Sequence, residues 1–252
     1  MSAQSVPALL LDMDGVLAEV SKSYRASIVA TCHSHGAKSV TFDLIGEWKS
    51  RGGCNNDWVL SLDLINASED GEKGLTLEQV TETFEGFYQG TESTSGLCDT
   101  ETLIPTMEVM EELYKRTNGL MAVVTGRPRK DCMKFLKLHK LEKFFKVCVC
   151  MEDGPPKPDP FPVAEACKLL GVVPSKAVIM VGDTPDDINS ALKNGVRGVG
   201  VATPEGAEAS EKAGNSFDSG KLCQAIKACG ADGEVVVLRP GFEELINFFP
   251  EA

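Results

Sequence analysis

The sequence predicts an α/β protein: a Rossmann-like parallel sheet core interrupted by an inserted all-helical cap. Short apolar runs without polar alternation, such as Ala8-Leu9-Leu10-Leu11, suit strands buried on both faces of a parallel sheet. Beyond Pro105 such runs alternate with helical patterns of about ten residues, the signature of strand–helix–strand units. Between the first strand and the rest lies a stretch of helical periodicity. The core is therefore expected to comprise residues 1–17 plus 99–252, and the cap residues 18–98.

The first strand ends at Asp12-Met13-Asp14-Gly15. Side chains of extended backbone alternate, so both carboxylates project to one side. At about 4 to 6 Å they repel by several kcal/mol at an effective dielectric of about 20. Such a pair needs a cation, a shared proton or full solvation; an acidic turn closed by Gly15 is the plainer reading. In the insert, Ser23 to His35 and Asn55 to Ile65 read as helices. Thr76-Leu77-Glu78-Gln79 forms a capping box that opens a third, running to about Gln89. Ala67 to Gly74 is a charged loop, and no strand is expected in this segment.

After the insert, helices are expected at Pro105–Arg116 and Pro128–His139, with strands at Leu120–Val124 and Lys146–Cys150. Asp159-Pro160 opens a helix stopped by Gly171, Ala177–Val181 is a strand, and Thr184-Pro185 caps a helix ending at Gly195. Val199–Val201 and Val235–Leu238 are short strands, Thr203–Gly220 is a loop with a short helix, and Pro240–Phe249 is a final helix.

The chain has 252 residues, 42% of them hydrophobic, enough for a sizeable core. No apolar run approaches a bilayer span, and no basic segment precedes the first apolar run, so neither a membrane partner nor a secretory signal is expected. The nine cysteines lack CxxC pairs or regular spacing, which suits buried thiols in a reducing, cytoplasmic location. A net charge of −12 argues against nucleic acid as partner. It leaves room for a small phosphorylated ligand, because a metal and a few local cations dominate the field at short range.

Ligands of open parallel sheets bind beyond the carboxyl ends of the strands. Those ends carry Asp12 and Asp14, then Thr125-Gly126-Arg127, then Pro155-Pro156-Lys157-Pro158, then Gly182-Asp183-Thr184-Pro185-Asp186-Asp187. A carboxylate pair, a hydroxyl beside a glycine, a proline-braced lysine and an acidic cluster on one edge fit a divalent metal with a bound phosphate. Single residues here also have plainer roles: acids are favoured in the first turn of a helix, which covers Asp186 and part of the case for Asp187. His33 and His35 do not share a helix face, so they are not read as metal ligands.

DMDGV, VVTGR, PPKPDP and GDTPDD, in this order, resemble the four motifs of the haloacid dehalogenase-like hydrolases. The insert resembles the helical cap of the phosphoglycolate-phosphatase-like subfamily. The resemblance covers nearly the whole chain and implies Mg2+-dependent phosphoryl transfer. By it, Asp12 is the nucleophile, Asp14 the general acid and base, Thr125 the hydroxyl contact to a phosphoryl oxygen, Lys157 a second positive charge beside the metal, and Gly126 the close backbone approach. The metal would be held by Asp12, the Asp14 carbonyl and Asp183, with Asp187 in support.

The insert holds six Lys/Arg against twelve Asp/Glu, so its cations stand out. Its most loop-like polar stretch, Lys49 to Asp57, suggests Arg51, Asn55 and Asn56 as substrate contacts, with Arg127 as a rival from the core. An interhelical turn with Asn caps is the alternative. The acid at position 14 argues against carbon–halogen or carbon–phosphorus cleavage. A sugar phosphomutase using the same motifs and a non-catalytic scaffold remain alternatives to the phosphatase.

Overall fold

The computed structural model describes residues 6–231 and 233–251; the first part of the segment read for a secretory signal lies outside them. The chain begins with β1 (Ala8–Leu11) and β2 (Ala18–Glu19), then helices α1 (Tyr24–Ser34), α2 (Phe42–Ser50), α3 (Asp57–Ala67) and α4 (Leu77–Gln89). The short strands β3 (Gly90–Thr91), β4 (Thr94–Ser95) and β5 (Thr102–Leu103) follow. The remainder is α5 (Met107–Arg116), β6 (Met121–Val124), α6 (Arg129–Leu138), β7 (Val147–Val149), α7 (Phe161–Leu170), β8 (Val178–Gly182) and α8 (Pro185–Lys193). The C-terminal part contains β9 (Arg197–Val201), α9 (Pro204–Lys212), α10 (Lys221–Lys227) and β10 (Val237–Leu238).

Six strands form one parallel sheet in the order β10-β9-β8-β1-β6-β7. Strand order reverses at β1, so the crevice beyond its carboxyl end is the topological switch point. The missing polar alternation has a direct cause. Leu9 and Leu11 face a core that continues through Met13 and Leu17 into the helical insert. Ala8 and Leu10 face a second core built with Val163, Ala166 and Cys167 of α7. Each buried leucine contributes about 1.5–3 kcal/mol, and a polar residue on either face would forfeit it.

The insert is joined to the core through β2 and β5, which pair antiparallel as Ala18↔Leu103 and Glu19↔Thr102. Within it, α1, α3 and α4 pack around Ile28, Leu60, Leu64, Val80 and Phe84. The capping box at Thr76 forms as the sequence predicts. Some details differ. The insert includes helix α2, which the sequence reading did not separate from its surroundings. It ends in a two-residue β3–β4 hairpin where no strand was expected, because Gly90 at φ 78° lets the chain fold back after α4. The expected final helix is a 3-10 run, Glu243–Phe248.

Candidate active site

The four strand ends converge. Asp12 follows β1, and Lys157, on the loop after β7, places its Nζ 2.8 Å from Asp12 Oδ1. The same ammonium donates to the Val124 carbonyl at 2.8 Å and lies 2.5 Å from Asp187 Oδ1. Its side chain is 1% exposed, so the charge is held entirely by these partners. Burial alone would depress the lysine pKa, but Asp12 and then Asp187 raise it above the ordinary ammonium value. Asp183 and Asp187 lie at the start of α8, and one carboxylate oxygen from each falls within 4.8 Å of the other and of Asp12.

Two glycines make that convergence sterically feasible. At Gly15, φ is 72° and a Cβ would stand 2.3 Å from Asp183 Oδ2. At Gly126, a Cβ would stand 2.7 Å from the Nδ2 of Asn55 in the insert. Thr125 is buried beside it, and its Oγ1 accepts from the Arg127 amide at 3.1 Å, which leaves the hydroxyl proton for a ligand.

The site is short of positive charge. Burial, only partly offset by Lys157, raises the Asp12 carboxyl well above its usual range, with further push from Asp187, Asp14 and Asp183. Burial and then Asp187 push Asp183 up to about 7. Buried oxygen ligands carrying surplus negative charge are what a hard dication such as Mg2+ binds. Asp187 caps α8, its Oδ2 accepting from the Thr184 amide and hydroxyl, while its Oδ1 meets Lys157.

Over this edge the insert supplies a roof. Asp12, Asp14 and Asp183 share a chamber with Val20, Tyr24, Arg25, Lys49, Asn55 and Asp57. The open volume of this chamber is about 30 Å³. Arg25 Nη2 is 3.6 Å from Asp183 Oδ2, and Lys49 Nζ is 2.8 Å from Asp57 Oδ1. Burial would lower the Lys49 pKa, and Asp57 raises it. Asp186 accepts the Gly53 amide with both carboxylate oxygens at 2.9 Å, tying the insert to the head of α8.

Several expected cap contacts are placed elsewhere. Asn55 does face the chamber, and its Nδ2 is buried without a partner. Arg51 does not: its side chain is 59% exposed, pairs with Glu47 and lies over the Trp48 ring, because it ends α2 on the outer side. Asn56 caps α3, its Oδ1 accepting from the amides of Trp58 and Val59, and it also lines a cavity with Asn55, Thr125, Gly126 and Lys157. Arg127, the rival contact from the core, is turned inward onto Asp14 and Glu101. The sequence reading missed Tyr24, Arg25, Lys49, Asp57 and Glu101. Lys49 and Asp57 bound the polar stretch already singled out, but nothing local distinguishes Arg25 or Glu101. His33 and His35 bond separately, to the Val40 carbonyl and to Glu72 with Thr83.

A sheet that reverses its strand order at an acidic, lysine-braced edge, roofed by helices, defines a doubly wound α/β protein with its candidate site beyond the carboxyl ends of the strands. Residues 9–201 match the domain described as "Haloacid dehalogenase-like hydrolase". The chain belongs to that family. It is 30% identical over 216 residues to pyrophosphatase PpaX of Bacillus velezensis, covering 82% of this chain and 89% of that one. It is 28% identical over 193 residues to phosphoglycolate phosphatase of Pasteurella multocida, covering 75% and 83%. Over 249 residues it is 45% identical to a Phytophthora nicotianae protein named imidazoleglycerol-phosphate dehydratase, covering 98% of this chain but 53% of that one. The chain thus spans about half the length of that relative. A hydrolase from Pseudomonas syringae shares the fold at TM-score 0.65 and 19% identity, covering 95% of this chain and 96% of that structure.

Proposed function

We propose that this chain is a Mg2+-dependent phosphatase of small phosphomonoesters, working through an aspartyl-phosphate on Asp12, with residues 18–98 acting as a cap over the core. The observation that carries the reading is the meeting of Asp12, Asp183, Asp187 and Lys157 at one buried point. Asp12, Asp183 and the Asp14 backbone carbonyl would hold the metal, with Asp187 in support; when bound, it supplies positive charge that offsets repulsion between Asp12 and the phosphate.

Lys157 fixes Asp12 through Oδ1, which leaves Oδ2 to attack phosphorus. The ester P–O bond breaks as the Asp12–phosphorus bond forms, and Asp14 gives its proton to the departing alkoxide. Asp14 then takes a proton from water, the resulting hydroxide attacks phosphorus, and inorganic phosphate leaves Asp12. Thr125 donates its hydroxyl proton to a phosphoryl oxygen throughout. Lys49, Arg25 and Asn55 are the cap groups facing the leaving group, and they favour a compact polar or anionic one. A chamber of about 30 Å³ holds only about two waters, so the cap must lift to admit substrate. The nine free thiols suit a reducing compartment such as the cytoplasm.

The test is phosphate release, with and without Mg2+, from a panel that includes the compounds named in the relatives: phosphoglycolate, pyrophosphate and imidazoleglycerol phosphate. Mg2+-dependent release that vanishes in Asp12→Asn supports the reading. Isomer exchange of a sugar phosphate without free phosphate would favour a mutase, and no turnover of any compound would favour a scaffold.

A further inference from the structure

The side chain of Arg127, 1% exposed, sits between two carboxylates. Its Nε donates to Asp14 Oδ1 at 2.7 Å, and Nη2 lies 2.6 Å from the same oxygen. Nη1 donates to Glu101 Oε2 at 2.9 Å and to the Tyr88 hydroxyl at 3.3 Å. Glu101 Oε1 in turn accepts from Ser23 at 2.8 Å and Tyr88 at 3.1 Å. The guanidinium lies 4.8 Å from the Tyr24 ring centroid and 5.5 Å from that of Phe135. Arg127 and Asp14 belong to the core, whereas Ser23, Tyr24 and Tyr88 come from the helical insert and Glu101 from the second connection between the two.

A planar fork fixed on several sides by acceptors and rings has one orientation. The oxygen it grips belongs to the carboxylate assigned the proton transfers, a task that tolerates displacements well below 1 Å before losing efficiency. We infer that Arg127 is a positioning residue: it aims the Asp14 carboxylate at the leaving oxygen, and it is itself held in register by Glu101 and Tyr88, so that acid catalysis is at full strength only with the helical insert seated. This rests on the phosphatase reading above. The partners already named engage its Nε and Nη1 and crowd its Nη2, which favours this positioning role over a direct substrate contact.

The test uses the full chain with Mg2+ and two kinds of ester. An alkyl phosphate needs its leaving oxygen protonated, whereas p-nitrophenyl phosphate expels a stable phenolate. Arg127→Lys keeps the charge but loses the fork. It is expected to lower kcat/KM for the alkyl ester by at least about 100-fold more than for the aryl ester, the range general acid catalysis supplies. Asp14→Asn should show the same discrimination, and adding Arg127→Lys to it should deepen the alkyl-to-aryl ratio by less than about threefold, because the two residues act as one unit. Glu101→Gln retains an acceptor for Nη1 and is the second probe should Arg127→Lys fail to fold; its loss is smaller and has the same leaving-group dependence. Equal losses on both esters, or full additivity with Asp14→Asn, would overturn the inference while leaving the phosphatase reading intact. An inactive wild type would instead remove that reading.

Discussion

Gly53 of the helical insert donates its backbone N–H to both oxygens of Asp186, each at 2.9 Å, across 133 positions of sequence. It is a direct polar link from the insert to the helix that carries the acidic motif. Burial raises the Asp186 pKa, and the Gly53 amide draws it back, helped by that of Cys54. A hydrogen bond to a charged group contributes about 1.5–3 kcal/mol. Asp186→Ala should therefore lower kcat/KM by roughly 10- to 100-fold by weakening cap seating. Limited proteolysis should show faster cleavage near residues 51–56 in the variant than in the wild type.

At Gly126 the insert packs tightly against the turn that follows β6. Gly126→Ala puts a methyl group 2.7 Å from Asn55 Nδ2 and 2.9 Å from the Asn55 carbonyl, so the roof must shift. Steady-state kinetics should show at least about a tenfold rise in KM, since such overpacking costs about 1–3 kcal/mol. The melting temperature should move little, because neither main core is touched.

The aromatic cluster that holds the insert together is a separate matter of stability. Phe84 is fully buried, with its ring 5.8 Å from Tyr24 and 6.1 Å from Tyr88. Phe84→Ala should cost about 3–5 kcal/mol in urea unfolding. It should also impair activity, since Tyr24 and Tyr88 surround Arg127.

The acidic centre makes the metal-free protein sensitive to pH in a defined direction. Burial, followed by repulsion from Asp187, lifts Asp183 to about 7 from an unfolded value near 3.8, and Asp12 is raised also. An acid with a raised folded-state pKa binds more protons folded than unfolded between those limits, so stability falls as pH rises through this window. Melting curves in chelator should drop from pH 5 to pH 8 more steeply than curves in saturating Mg2+, which keeps the carboxylates charged in both conditions.

The parallel sheet and the acidic residues and lysine at its carboxyl edge were legible because each is written locally. A strand buried on both faces shows as an unbroken apolar run, and the chemistry sits in the few residues after it. Asn55 was legible as part of a polar, glycine-rich stretch. Arg51 was not: that it ends α2 on the outer face is decided by how α2 docks, which no local pattern encodes. Arg127 looked like a phosphate contact because it follows Thr125 and Gly126. Its inward turn depends on Glu101 and Tyr88, supplied by segments 26 and 39 residues away. The roof residues Arg25 and Lys49 were hidden for the same reason, since they are ordinary basic residues of amphipathic helices until the insert folds over the sheet.

The decisive measurement is acid quenching of the enzyme during turnover of a labelled phosphomonoester, followed by peptide mapping of any covalent phosphate. The label should lie on the peptide that contains Asp12, and Asp12→Asn should abolish both label and phosphate release, by at least about 10⁴-fold. Undiminished phosphate release by Asp12→Asn, or covalent phosphate carried on a different residue, would contradict the assignment.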